Sequence, residues 1–341
     1  MKLSNDLGKD SILSLVFKLA IPAMLSQLVN LLYSIVDRMY IGNIPEIGPI
    51  ALAGVGVCGP IVTFLASFGT LIGLGGSINM SIQMGAKENE KAKQILSNSF
   101  LALSVVSIAL TIIFLLVKDS LIMLFGASEI TFPYANTYLT IYTLGSFFAI
   151  MAIGLNFFIT CQGFATMGML TVIIGALTNI ILDTLFIFGF NMGVAGAAWA
   201  TVIAQFLSFL FAFLFLRGNK IPIPITFGNY SKKIMIKIIT FGFSPFFILA
   251  TDSFILIILN MMLQKYGGIA EGDLLISSAT IIQSYLLLIT GPLIGLTGGT
   301  QPILSYNYGA RKIHRVRKAE KYIVIFALCL TSIMFFSTKF L

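Results

Sequence analysis

Between Lys93 and Lys118 the chain carries no charged residue. The run reads QILSNSFLALSVVSIALTIIFLLV, and it constrains the fold more than any other feature. A stretch of roughly 20 mostly apolar residues is what a helix needs to cross the hydrocarbon core of a bilayer. Nine such runs can be placed, near residues 14–40, 50–84, 92–117, 133–160, 166–190, 192–216, 236–265, 272–307 and 315–338. The second and eighth exceed what a bilayer requires and are expected to tilt or to project beyond it. Composition agrees: 57% of the 341 residues are hydrophobic and 10% are charged, against about 25% charged in soluble domains. The expected class is an all-α polytopic membrane protein.

Most of the 21 Lys and Arg residues fall on one side of these spans. Lys2, Lys9 and Lys18 precede or open the first. Lys87, Lys91 and Lys93 follow the second, and Arg217, Lys220, Lys232, Lys233 and Lys237 follow the sixth. Arg311, Lys312, Arg315, Arg317, Lys318 and Lys321 follow the eighth. The opposite side keeps Lys118, Lys265 and Lys339, with Arg38 near the far end of the first span. The positive-inside rule then places the N-terminus in the cytoplasm of a cell-membrane protein. No small-residue cleavage site follows the first apolar run, so it reads as a helix and not a cleaved leader. The charge of +8 is thus a topology signal, with no nucleic-acid partner implied. Cys58, Cys161 and Cys329 are far apart, and His314 is the sole histidine. That composition argues against a histidine metal site, a catalytic triad or an enzyme, and no cofactor is expected.

The chain repeats itself. FKLAIPAMLSQ and GLGGSINMSIQMGAKENEKAK recur as ITFGFSPFFIL and GLTGGTQPILSYNYGARKIHRVRK. Pro22 matches Pro245, Gly75-Gly76 matches Gly298-Gly299 and Gly85-Ala86 matches Gly309-Ala310, all offset by about 223 residues. The first copy, residues 1–217, holds six spans, an even number, so both copies enter the membrane from the same side as parallel repeats. Residues 218–235 form a cytoplasmic linker. Residues 236–341 form a partial second lobe of about three helices, so the chain is expected to be a C-terminally truncated piece of a twelve-helix protein.

Three acids lie within the spans: Asp37, Asp183 and Asp252. An acid at a helix centre costs about 2.5–3.5 kcal/mol to insert, so each needs either a function or a helix–helix hydrogen bond. At ~1.5 Å per residue, Asp183 lies about 10 Å from the far end of the fifth span, Asp37 nearer that end of the first, and Thr201 about 13 Å into the sixth. Asn179 is one turn from Asp183 on the same helix face. These four are expected to share a pocket in the outer half of the first lobe. Two carboxylates in a dry site disfavour double ionisation, so the pocket suits a proton, and its hard oxygens equally suit Na⁺. Arg38 is expected to reach the outer interface. Asn156 falls near the inner end and outside the cluster. Tyr138 shares the depth of the cluster; with Asp252 and Gln283, near mid-membrane in the second copy, it is assigned to a substrate cavity. The glycines of GTLIGLGGS and GPLIGLTGG serve either close helix packing or bending.

SIVDRMYIG, GLGGSINMSIQMGAKENEKAK, NIILDTLFIFGF, GVAGAAWATVIAQ and PILSYNYGARK resemble the multidrug and toxic compound extrusion (MATE) family. The resemblance runs along the whole chain. It implies two six-helix lobes in a V, and antiport of cationic amphipathic drugs or dyes against H⁺ or Na⁺ by alternating access, from a monomer. By position, the family's cation site falls on Asp37, Asn179, Asp183 and Thr201; Asp252 matches the family's seventh-span acid insecurely. Two alternatives stand beside it. A lipid-linked saccharide flippase of the same superfamily would need a cationic cavity, and only Arg38 lies within the spans. A non-transporting truncated product is the other.

Overall fold

Ser11 opens the first helix, its hydroxyl accepting from the Ser14 amide at 3.4 Å, the usual way a serine satisfies a free amide at a helix start. The computed structural model describes residues 5–218 and 221–340, with side chains except at 269, 270, 273, 284, 285, 289 and 337–340. Lys2 and Lys220 therefore lie outside the described residues, and the side chain of Lys339 with them. The helices are α1 (Ile12–Gly42), α2 (Gly48–Gly85), α3 (Asn89–Leu124), α4 (Phe132–Thr160), α5 (Ala165–Asp183, prolonged by a π-helical turn, Thr184–Gly189) and α6 (Gly193–Leu216). Then come α7 (Lys232–Gly268), α8 (Leu274–Leu288 and Thr290–Gly309) and α9 (Ile313–Phe340). Proline stands in the first turn of α2 and α4, where its missing N–H costs nothing. Eight of the described helices are long and apolar enough to cross a membrane, and the bent pair of α8 makes a ninth. The spans read from the sequence agree within a few residues, except that α3 runs on past residue 117 to Leu124 and that α8 is not straight: its two parts meet at 47°, just before Pro292, where a ring replaces an amide donor.

Consecutive helices alternate in direction, so Lys9, Lys87, Arg217, Lys232 and Arg315 share one end of the bundle, here the basic face. The repeat is visible in the backbone. Both α2 and α8 end in Gly-Ala followed by a basic residue at positive φ, Lys87 (63°) and Arg311 (58°). The copies exchange partners: α2 packs on α7, and α8 packs on α1. A Cβ on Gly242 of α7 would overlap the Leu71 carbonyl of α2, and one on Gly299 of α8 would lie 2.7 Å from the Leu19 carbonyl of α1. At the basic face α2 and α8 cross, with Gly85 against the Tyr306 carbonyl and Gly309 against the Ile82 carbonyl. Glycine lets backbones approach this closely. Gly69, Gly73, Gly75 and Gly76 are likewise in contact, and α2 runs unbroken; these four glycines serve packing.

The segment joining the copies is pinned. Ile221, Ile223 and Ile225 are buried at every second position, separated by Pro222 and Pro224, because an extended backbone turns alternate side chains the same way. Gln162 holds this segment with both ends of its amide: its Nε2 donates to the Ile223 carbonyl (3.2 Å) and its Oε1 accepts from the Ile223 amide (2.9 Å). Gln94, Ser97 and Asn98 of α3 donate to the carbonyls of Gly228 and Asn229. Gln162→Leu is expected to lower stability by about 1–3 kcal/mol, since buried Ile223 groups lose their partners; thermal unfolding of the purified protein in detergent checks this.

Candidate functional site

Asn179 and Asp183 are four residues apart on α5 and face the same way. Asn179 is 1% exposed and Asp183 fully buried. Directly after Asp183 the helix widens to a π-turn, closed by the Phe190 amide on the Leu185 carbonyl (2.9 Å). Gly196 of α6 packs against the Phe186 backbone there. Turns of this kind recur at functional sites because they re-aim the residues beside them. No pattern in the sequence marks it.

Three helices bring their polar groups together at this point. The Asn179 Nδ2 donates to Asp183 Oδ1 (3.5 Å) and to Thr201 Oγ1 of α6 (3.3 Å). The carboxyl of Asp37, from α1, which packs on α5, lies near that of Asp183. Two carboxyls can bond to each other only when one holds a proton. Asp37 Oδ1, Asn179 Oδ1 and Asp183 Oδ2 are buried and accept no hydrogen bond from any N–H or O–H of the protein. Buried acceptors in proteins are ordinarily satisfied, so three left without a donor mark this group as unusual. The oxygens of Asp37, Asp183, Asn179 and Thr201 are hard donors of the type that holds a proton or an alkali cation.

Beside this cluster lies a cavity of about 560 Å³. It is bounded by α1, α4, α5, α6 and α8, with Thr63 of α2, and reaches Thr160 and Ala165 at the basic face. Its wall carries five carboxamides, Gln27, Asn30, Asn156, Asn179 and Gln205, among apolar residues and hydroxyls, and no charged side chain among the described residues. Asn179 and Thr201 belong to both cavity and cluster, so the acids stand one side chain behind the wall.

The structure thus brings Asp37, Asn179, Asp183 and Thr201 together. Other expected positions need correction. Tyr138 is buried behind the cluster, stacked on Tyr142 (centroids 6.2 Å apart, planes at 11°), and does not line the cavity. Asp252 is exposed, Gln283 is half-buried, and neither lines it. Asp252 lies on α7, which meets α2 at Gly242 and lends no residue to the cavity wall; Gln283 lies on α8, whose described cavity-lining residues begin at Leu287. Arg38 has a partner in the second copy. Its Nη1 donates to the Thr280 carbonyl of α8 at 3.1 Å, tying the copies at the end opposite the basic face. Gln27, Asn30, Asn156 and Gln205 were not singled out for the cavity from sequence; their signal was an amide in an otherwise apolar span.

The MatE family model matches residues 22–185 and again 245–341, beginning in each copy at the repeated proline. The multidrug export protein MepA of Staphylococcus saprophyticus is 26% identical over 329 residues, spanning 94% of this chain and 71% of its own. MepA of Staphylococcus aureus is 26% identical over 335 residues, 95% and 72% of the two chains. Among solved structures, the MATE multidrug transporter DinF-BH superposes with a TM-score of 0.89 at 32% identity, over 97% of this chain and 74% of that one. An outward-facing multidrug resistance MATE family transporter of the MOP superfamily gives 0.85 at 24% identity, over 98% and 74%, a likeness of fold alone. Matched once in each of its two copies and aligned with relatives along nearly its whole length, the protein belongs to the MatE family.

Proposed function

We propose that this protein is a multidrug exporter of the cell membrane, with its basic face in the cytoplasm, driven by antiport of a cation bound at Asp37, Asn179, Asp183 and Thr201. The observation that carries this reading is the group of three buried oxygens without donors, one of them on Asn179 at the wall of the cavity and two on the acids behind it. The relatives named for multidrug export support the substrate class. A proton shared between Asp37 and Asp183 is the occupant that their direct approach suits best, and Na⁺ is the competing one. Amphipathic cations and dyes occupy the cavity in this scheme, apolar surface and carboxamides meeting their rings and polar groups, while Asn179 separates them from the acids by one side chain. A cationic wall for a pyrophosphate-linked saccharide is lacking among the described lining residues, which weighs against a flippase.

Coupling follows from linkage. A cation shifts the balance between outward- and inward-open states only by its difference in affinity for them. A site whose carboxyls meet when protonated and repel when both are charged provides such a difference. Each charge crossing the field adds about 2.3 kcal/mol per 100 mV. The test is dye efflux from proteoliposomes under a proton gradient alone and a sodium gradient alone. Efflux with the proton gradient only is expected; efflux with sodium only would reassign the occupant, and efflux with neither would end the reading.

A further inference from the structure

The turn between α2 and α3 recurs between α8 and α9 with a different charge. Lys87 and Arg311 each follow Gly-Ala at positive φ, 224 residues apart. The next positions diverge: Glu88 and Glu90 of the first copy stand where the second has Lys312 and His314. Residues 87–97 hold three cations and two acids, whereas residues 311–321 hold six cations and one acid, Glu320. Membrane topology calls for cations at this face in both copies. It does not account for acids in one copy and their loss in the other.

In the first copy the charges pair among themselves, Lys91 with Glu88 (3.4 Å) and Lys93 with Glu90 (2.7 Å). In the second, two of the six cations hold the chain ahead of α1. Lys312 Nζ donates to the Gly8 carbonyl (2.8 Å), and Arg315 Nη2 donates to the carbonyls of Asp10 (2.7 Å) and Leu7 (3.3 Å). Asn307 Nδ2 donates to the same Leu7 carbonyl (3.0 Å). Asp6 and Asp10 of that segment direct their carboxyls to backbone amides. Arg311, Arg317, Lys318 and Lys321 are exposed, and among the described residues none has an acid at ion-pair distance.

Three of these four share one side of α9. Lys321 lies three residues after Lys318 and four after Arg317, the spacings at which helical side chains meet. Ala319, Tyr322 and Phe326 turn the other way and pack toward α1, the Phe326 ring 5.2 Å from that of Phe17. Like charges at these spacings destabilise a helix, and an anion seated among them removes that repulsion. Further along the exposed side the chain turns apolar through Val324, Ile325 and Leu328. A basic end continued by apolar side chains matches an anionic phospholipid, headgroup and acyl chain together. A soluble anion would match the basic end alone.

We propose that Arg317, Lys318 and Lys321 of α9, with Arg311 at the turn before it, bind the phosphate of an anionic phospholipid in the leaflet at the basic face. None of the four lines the cavity, so the surface stands apart from the transport reading. Arginine and lysine give phosphate oxygens charge-assisted hydrogen bonds, and each cation near an anionic bilayer surface strengthens the attraction about fivefold. With Lys91 and Lys93 already paired, the first copy offers no equivalent surface, and charged lipid gathers at the second.

Native mass spectrometry of the detergent-purified protein tests this, with phosphatidylglycerol and phosphatidylcholine of the same acyl chains as probes. Phosphatidylglycerol is expected to bind first and at least about tenfold more tightly. The combined variant Arg317→Gln, Lys318→Gln, Lys321→Gln should lose that preference. The variant Lys87→Gln, Lys91→Gln, Lys93→Gln removes as many cations from the first copy and should keep it within about twofold. All these side chains except the half-buried Lys93 are exposed, so both variants should unfold at temperatures close to the parent's. Equal losses in the two variants would reduce the effect to net charge and overturn the site. A preference undiminished in the α9 variant, or absent from the parent, would overturn it as well. Displacement of phosphatidylglycerol by excess glycerol 3-phosphate would assign the cluster to a soluble anion and end the lipid proposal.

Discussion

Asp183→Asn is expected to abolish dye efflux driven by an ion gradient, with a fall of at least about 100-fold in rate, while leaving the protein folded. The two halves of this expectation have separate causes. An amide cannot gain and lose a positive partner as a carboxyl does, so the gradient has nothing to act on. Stability should hold or rise slightly, because a buried carboxylate is costlier than a buried amide of the same shape. Asp37→Asn should behave in the same way, and the double substitution should be no worse than either single one, since groups acting as a unit are not additive. Asp252→Asn is the control: exposed and away from the cavity, it should keep at least about half of the activity. Efflux from proteoliposomes and thermal unfolding in detergent measure the two halves. Undiminished efflux in Asp183→Asn removes the coupling role assigned to this acid.

The second large effect concerns packing. Gly309→Val and Gly85→Val should each destabilise by about 3 kcal/mol or more, toward the upper end for overpacked sites. The added carbon meets a main-chain carbonyl in each case, Ile82 for Gly309 and Tyr306 for Gly85. Backbone at a helix crossing has no rotamer through which to yield. Gly298→Ala should lie within about 0.5 kcal/mol of the parent, because nothing stands within 4 Å of the new carbon and such sites behave as surface positions. Yield of monodisperse protein and its unfolding temperature check both. Equal effects at Gly298 and Gly309 would show that the crossing at the basic face is not the tight contact described.

Gly298 and Gly299 illustrate the limit of the sequence. The repeat marks them together, yet only Gly299 touches α1, while Gly298 faces the cavity. Depth, by contrast, was legible. A helix rises by a constant increment, so residues 37, 179, 183 and 201 could be set at one level from their distance to the span ends. Tyr138 belongs to that level as well, although its ring backs the acids and leaves the cavity wall to others. Asp252 and Gln283 were misassigned because level alone says nothing of the direction in which a side chain points. The fate of Arg38 depended on Thr280, more than two hundred residues away in the chain.

By itself, then, the sequence determined the helical spans, the duplication and the common level of residues 37, 179, 183 and 201, because hydrophobic length and helical rise are local properties. The tertiary structure alone decided which faces meet. It set the exchange of partners between α1, α2, α7 and α8, the π-turn after Asp183, the carboxamide wall of the cavity and the docking of residues 7–10 on Asn307, Lys312 and Arg315. These depend on rotation about each helix axis and on contacts between distant segments, and they are settled only when backbones pack against one another.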